Sequence, residues 1–562
     1  MMELIRIKTV EQLYTVKHEW SQILATTHNS NPFIEFEWVA LWMKYYGNEQ
    51  DVEIIGVKRR GEFVGFLPFV KKKNMFGDTY EMIGYGKSNY MDLIVQHHML
   101  EDVVHFVFKQ LMTENSHSLF NLHGLLESSP TYQVLLDCLE KMELTYSYHR
   151  VVTPYINLEK IQMKQYMDKR KKLHRLDRRE KKLHLLGTVE HRICELEEMD
   201  YIFQLHDKRW DKKNDTSGFT NEVGRAFYTE LLLVGNERFK PIVDALYVDG
   251  KMIAFNYGYS CGNRYLSYVL GYDDDFESFS PGRVLEKEAI LGLVDTKYTI
   301  FDLSIGYEPY KFEWNTHLDY TTKLIFSSRG AKVRLGRRYF SFKERLIEQL
   351  KKNRKLVLFK RDTLGEVKYT ISKMFKHANK ESKKETLYQL IHKVKRFLWE
   401  KNRALIMVKE VERTRKPGMG EGFTELQLKD ALYDPTFQTH NLKRICTRLY
   451  GGYQAYYKNG EKKEGNLLWT NRKVLRLNRI SYIKELRKNA IWLEDWNVEN
   501  LLDICKFVHK EHLINCILLE IDAKDKKAIQ LVTDLGFRVE KSVSSTTIFG
   551  KEKIRVIENE AK

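Results

Sequence analysis

Several things are scarce in this chain, and each scarcity excludes something. Nine prolines and 31 glycines in 562 residues leave no room for a long low-complexity region. The six cysteines, Cys138, Cys194, Cys261, Cys446, Cys505 and Cys516, form no CxxC pair. That argues against a disulfide framework or a zinc site and for buried free thiols. No apolar run approaches the roughly 18 residues that a membrane helix needs. The opening MMELIRIKTVEQLYTVKHEW has no apolar leader segment and no small-residue cleavage site, which predicts a cytoplasmic protein.

What the chain does have is apolar mass and unevenly placed charge. At 43% hydrophobic and 12% aromatic it can bury several cores, and its length predicts about three or four domains. The net charge is +17. Residues 331–400 hold 21 Lys and Arg against 7 Asp and Glu, and residues 168–182 (DKRKKLHRLDRREKK) hold 9 against 3. Charge gathered in this way suits an anionic partner: a nucleic acid, an acidic membrane or a phosphorylated substrate. A solvated helix face is the plainer reading of most of these lysines.

Four segments follow from the patterning. Residues 1–155 read as mixed α and β, with a helix in PFIEFEWVALWMKYYG and a hairpin in VEIIGVKRRGEFVGFLPFVKKK turning at Arg60-Gly61. Residues 156–330 open with a basic helix to about 185 and then repeat the order of the first segment. They carry hairpin signals at Asp249-Gly250 and Gly262-Asn263. This order predicts an internal duplication of a mixed α/β unit. Residues 331–403 form a basic helical connector in which Leu346, Leu350 and 356–359 make an interrupted apolar stripe; 338–361 could instead lie on a membrane surface. Residues 404–562 read as a third α/β unit.

The stretch LSYVLGYDDDFESFSPGRVLEKEAI (266–290) runs an aromatic strand through acids into Ser-Pro-Gly-Arg and at once into a helix. Gly282 allows a close backbone approach, and Pro281 suits the first helical position. Ser280 can cap the helix, and Arg283 adds a full charge to the partial positive charge of the helix N-terminus. Together these can receive a phosphate. A plain N-capped helix after a turn is the alternative.

The motifs HDKRWDKKNDTSGFT (206–220), ALYVDGKMIAFNYGY (245–259), YVLGYDDDFESFSPGRVL (268–285) and FDLSIGYEPYKFEWN (301–315) resemble the CelD-type (BioF-like) acetyltransferases of the GNAT superfamily, which are related to the Fem aminoacyl transferases. FIEFEWVALWMKYYG, VKRRGEFVGFLPF and NYMDLIV in the first segment resemble them too, so that the likeness covers about residues 30–325. It implies an α/β (α+β) fold of two GNAT-like units in tandem, with mixed sheets. It also implies a thioester lying where the fourth strand splays from the fifth, with acetyl-CoA or another acyl-CoA as co-substrate and no metal. Ser280, Pro281, Gly282, Arg283 and Val284 would then hold the pyrophosphate, and Val269–Gly271 would face the oxyanion. The loop is shorter than the Gly-rich loop of many GNAT enzymes. In the third unit Ala528 and Leu535-Gly536-Phe537 match the family, but Asp525 stands where Asn is usual and Val532 where the Tyr general acid is usual. The resemblance therefore implies a degenerate, catalytically inactive third unit.

The remaining candidates are side chains. Lys311 resembles the lysine near the C-terminal end of Fem-type sequences, and flanked by Tyr310 and Phe312 it could hold an anionic group. Asp302, at an apolar strand end, could be a base raised by burial, or could cap a turn. Glu308, exposed by the Pro309 turn, is a second base. His206, Arg209 and Trp210 share one helical face, where Arg209 could grip an anionic acceptor; Tyr272 adds an aromatic at the strand end. Arg175, Arg178 and Arg179 could face a phosphate.

Three functions fit. The first is a cytoplasmic acyl-CoA-dependent N- or O-acyltransferase acting on a sugar or nucleotide-sugar in bacterial exopolysaccharide or envelope synthesis. The second is a Fem-like transferase using aminoacyl-tRNA, which would give the basic helices RNA phosphates to bind; nucleic acid is the weaker partner reading. The third is a non-catalytic scaffold held peripherally to acidic membranes through 338–361.

Overall fold

The computed structural model describes residues 2–352 except 28, 160, 171–172, 211–218 and 220, and residues 399–558 except 412–422, 434–441, 459–466, 497–500, 502, 506, 508–513 and 549–550. The chain divides into two compact units. One takes in residues 1–180, 190–273 and 280–366, and the other 181–189, 274–279 and 367–562.

The first unit is built on one sheet of thirteen strands. Seven belong to the first half: β1 (Met2–Ile7), β2 (Asp51–Arg59), β3 (Glu62–Asn74), β4 (Gly77–Met82), β5 (Ile94–Val95), β6 (Ser118–Leu126) and β7 (Tyr146–Asn157). Six belong to the second: β8 (Val189–Ile193), β9 (Phe239–Val248), β10 (Lys251–Cys261), β11 (Arg264–Tyr272), β12 (Ile300–Asp302) and β13 (His317–Ser327). The order is β1-β2-β3-β4-β6-β13-β7-β12-β11-β10-β9-β8, with β5 on β3.

The halves follow the same order apart from β5, which has no counterpart in the second. Each has an antiparallel hairpin, β2–β3 or β9–β10, with a bulge near its turn. Both turns have two residues at positive φ, Arg60-Gly61 at 55° and 87° and Asp249-Gly250 at 47° and 80°. That geometry matches the twist of the strands, which is why Gly is second in each. Each half then has a parallel pair, β4 with β6 and β11 with β12. The last strands are exchanged: β13 of the second half pairs with β6 of the first, and β7 of the first pairs with β12 of the second. The expected boundary at 155/156 therefore falls inside a strand that serves both halves.

Strands such as KMIAFNYGYSC of β10 are apolar on both faces because both faces are covered. One core lies against helices Phe36–Tyr46, Leu100–Glu114, Met199–Trp210 and Glu222–Leu233 and runs through both halves. The second half has a further core on the other face, where Leu173, Leu176, Ala289, Ile290 and Trp314 meet Tyr265 and Phe301. The basic segment expected as one helix to about 185 is two helices, Met163–Asp168 and His174–His184. Of the connector, helix Ala331–Lys352 is described; residues 353–398, with the 356–359 stripe and the end of 338–361, lie outside the described residues.

The second unit has an eight-stranded sheet with one parallel pair, Ala490–Glu494 beside Cys516–Asp522. Its first strand, Trp399–Glu410, lies between Cys516–Asp522 and Arg538–Ile548, so the boundary expected at 403/404 also falls within a strand. Asp525 caps helix Lys526–Asp534 by accepting from Ala528 N at 3.0 Å. Val532 is buried and carries no proton to give.

Candidate active site

The site begins where two strands part. β11 pairs with β12 through only three residues, Arg264–Leu266 against Ile300–Asp302. β12 then stops, and the chain turns to β7, Leu303 N donating to Pro154 O and Gly306 N to Val152 O. β11 runs on to Tyr272, so residues 267–272 have an edge that β12 does not cover. On its other edge Tyr257 pairs with Val269 while Gly258 pairs with Ser267, which makes Tyr268 the extra residue of a bulge. Gly258 permits this: a Cβ there would lie 2.7 Å from the Leu266 carbonyl oxygen. A bulge at a strand edge re-aims backbone groups, and it does so at the Val269–Gly271 segment expected to face an oxyanion. Gly271 lies over Phe255, whose ring would be 2.3 Å from an added Cβ.

Helix Pro281–Leu293 opens beside that edge. Gly282 packs against β11, an added Cβ meeting Tyr272 at 3.2 Å and Leu270 at 3.5 Å. Ser280 does not cap the helix with its side chain. Its backbone is left-handed, at φ 54° and ψ 53°, which turns the hydroxyl away from the helix amides. Ser280 Oγ instead accepts a hydrogen bond from Arg179 Nη1. A non-glycine residue in that region is uncommon and strained. Arg283 N and Val284 N both donate to Ser280 O, at 3.0 and 3.1 Å; neither bond uses the Gly282 amide.

Arg179 reaches the loop because its helix is tied down. Lys287 pairs with Glu180 at 2.5 Å and Asp177 at 3.2 Å. Arg175 and Arg178 of the same helix are exposed. Arg283 is engaged by Glu313 of helix Lys311–Trp314, with Nη2 2.6 Å from Glu313 Oε2, so Arg179, not Arg283, brings a cation to Ser280. Val284 is buried in the core.

Beneath the loop lies a buried charged cluster that the sequence reading missed. Glu286 is 1% exposed, and burial pushes its carboxyl up to about 8 against the opposing charges of Arg283 and Lys311. Lys311, 5% exposed, begins helix Lys311–Trp314, donates to Ile305 O at 2.6 Å and sits 3.1 Å from the exposed Glu308. Tyr310 is the residue before that helix, and Tyr166 donates its hydroxyl to Trp314 O. Glu286 was legible in principle: Gly282, Leu285, Glu286, Ala289 and Ile290 lie at one helical stripe, with an acid where an apolar residue belongs.

Asp302 is fully buried, but its oxygens are committed. It pairs with Arg264 at 2.5 Å, accepts from Tyr90 Oη at 2.8 Å and caps the following turn through Ser304 N at 2.7 Å. The turn-capping reading of Asp302 is the one that this geometry matches. His206 is 1% exposed and stacked on Phe219 at 5.3 Å, a core position. The side chains of Arg209 and Trp210, and residues 211–218, lie outside the described residues. Among the described residues no group of three His, Cys, Asp or Glu could hold a metal, and no helix is long and apolar enough to cross a membrane.

A segment of the first half also reaches the site. Tyr268 Oη donates to Lys87 O at 2.6 Å, Asn89 Nδ2 to Ser304 Oγ at 2.5 Å, and Tyr90 to Asp302.

Comparison with known proteins gives the chemistry. Residues 170–312 match the family model described as an acetyltransferase (GNAT) domain. No curated protein matches the chain. Among solved structures it is similar to FemX (10% identity, 57% of this chain and 96% of that one, TM-score 0.42). It is also similar to a tandem GNAT protein from the clavulanic acid biosynthesis pathway (9%, 59% and 100%, 0.35) and to a GCN5-related N-acetyltransferase from Sphaerobacter thermophilus (10%, 58% and 95%, 0.29). Likenesses this distant say nothing of substrate. Residues 170–312 match a GNAT acetyltransferase domain, and they lie in the first unit, whose single sheet is built from two halves of similar strand order.

Proposed function

We propose that this domain transfers an acyl group from acyl-CoA, acetyl-CoA in the first instance, to an amine or hydroxyl of a sugar or nucleotide-sugar, as in the CelD-type enzymes of bacterial exopolysaccharide and envelope synthesis that its motifs resemble. The observation that carries the reading is the uncovered edge of β11, bulged at Tyr268, beside the opening of helix Pro281–Leu293. The diphosphate would lie at Ser280–Gly282, where Arg179 and the helix N-terminus supply positive charge and Gly282 has no side chain to displace it.

The chemistry is one displacement. The acceptor's nitrogen or oxygen attacks the thioester carbonyl carbon, and the new C–N or C–O bond forms. The tetrahedral oxyanion is stabilised by backbone N–H groups of residues 267–271, and the C–S bond then breaks. The acceptor's proton passes to a base at the mouth, for which Glu308, exposed beside Lys311, is the available carboxylate, and the leaving thiolate takes up a proton from that carboxyl or from water to leave as the free thiol.

Calorimetry tests the site. Acetyl-CoA and CoA should bind the wild type, and Gly282→Glu should abolish both, because a side chain there meets Tyr272 and Leu270 of β11 and displaces the helix opening at which the diphosphate would lie. Equal affinity for the two proteins would remove the assignment.

A further inference from the structure

We infer that the acceptor subsite is made by the first half of the chain, residues 83–91, and that Lys87 receives an oxyanion, a carboxylate or a phosphate, carried by the acceptor. This rests on the transfer reading and names the acceptor's chemistry.

The placement comes first. Three hydrogen bonds tie this segment to both parted strands: Tyr268 of β11 holds Lys87 O, while Asp302 and Ser304, at the end of β12, hold Tyr90 and Asn89. The segment thus lies across the mouth at which the acyl group would be exposed, and an acceptor entering there meets it.

The second observation is a cation that no acid of the described residues neutralises. Lys87 is half-buried, and its Nζ lies 5.2 Å from the centre of the Tyr46 ring. No acidic group of the described residues pairs with it, and burial alone holds its ammonium below the usual range. Four other lysines of this unit, by contrast, have an acid within hydrogen-bond reach: Lys44 at 2.6 Å from Glu230, Lys72 at 2.6 Å from Glu81, Lys208 at 2.7 Å from Asp273 and Lys323 at 2.7 Å from Glu344. The hydroxyl of Tyr46, whose ring Lys87 lies over, is buried and has no hydrogen-bond partner among the described residues. A desolvated ammonium and an unused O–H donor are each costly alone. One oxyanion satisfies both, with a charge-assisted bond to the ammonium.

The test uses the full chain. Surface amines are acetylated with acetic anhydride at one pH and ionic strength in chloride, acetate or methyl phosphate, and the products are mapped by peptide mass spectrometry. Labelling of Lys87 should fall about fivefold when the anion is at roughly four times its dissociation constant, while Lys44, already paired with Glu230, serves as the unchanged reference. Protection in acetate identifies a carboxylate, and protection in methyl phosphate a phosphate. Equal labelling of Lys87 in all three salts overturns the inference. Calorimetry separates it from its premise. Lys87→Met should bind CoA as the wild type does, and a loss of CoA affinity in that variant would put Lys87 in the nucleotide site and overturn the inference. Failure of the wild type to bind CoA would sink the transfer reading instead.

Discussion

Replacing Glu286 by glutamine removes one ionisable group from the interior and keeps its shape. The carboxyl is 1% exposed and raised by burial from the usual 4.5 to about 8, so at pH 7 about nine-tenths of it is neutral in the folded chain. In the unfolded chain it ionises near 4.5. The folded state therefore holds a proton that the unfolded state has lost between those two values. Stability from this group is complete below about pH 4.5 and falls as pH rises through 8, by about 1.4 kcal/mol per unit and about 5 kcal/mol in all. Glutamine imitates the neutral acid and has no such slope. Thermal unfolding of the two proteins from pH 5 to pH 9 reads the difference. They should melt together at pH 5, and the variant should gain steadily above it. At about 2 °C per kcal/mol for a unit of this size, the gap should reach roughly 10 °C by pH 9. Melting curves that stay parallel across that range would refute the reasoning, since they would mean that Glu286 ionises freely where it sits.

Four further outcomes follow from the same geometry. Asp302→Asn leaves Arg264 without its counter-ion and should cost about 3–5 kcal/mol of stability, whereas the double variant Arg264→Met with Asp302→Leu should recover much of it in thermal unfolding. Gly258→Ala forces the bulge of β11 to shift, because its Cβ would meet Leu266 O at 2.7 Å; it should lose about 1–3 kcal/mol and most of the turnover. Gly292→Ala, in helix Pro281–Leu293 with nothing within 4 Å of the new Cβ, should instead gain about 0.5–1 kcal/mol and keep its activity. Arg179→Met should weaken acyl-CoA binding about tenfold or more, the worth of a hydrogen bond to a charged group, and flatten its salt dependence, both read by calorimetry.

What was legible in the sequence is what local chemistry decides. Arg60-Gly61 and Asp249-Gly250 announced their hairpins because only a few residues tolerate two successive positive φ values. Pro281-Gly282 announced the start of a helix. The misreadings, and the alternatives left open, have long-range causes. Asp302 stayed open between a raised base and a turn cap, because its partner Arg264 lies 38 residues away on β11 and is met only when the sheet forms. Ser280 looked like an ordinary cap until its left-handed backbone turned the hydroxyl toward Arg179. Arg283 looked like the loop's cation, but Glu313 from the next helix engages it. Lys87 carries no local signal, because its meaning depends on Tyr268, which approaches it from 181 residues away.

The duplicated halves differ in one respect that bears on the whole design. In the second half β12 ends at Asp302 and leaves the edge of β11 uncovered. In the first half the corresponding space beyond β4 and β6 is taken by the chain itself: Met91 bridges to Leu125 in parallel and donates to Gly124 O at 2.9 Å. Gly124 sits at φ +82°, and a Cβ on it would lie 2.6 Å from Met91 N, so the approach depends on glycine. The segment 83–91 that fills the first opening is the one whose Lys87, Asn89 and Tyr90 are bonded to the mouth of the second. Two open copies would have given two independent sites. Under the proposed function the loop of the closed copy is a wall of the open one, and the exchanged strands β7 and β13 pair across the two halves beside it.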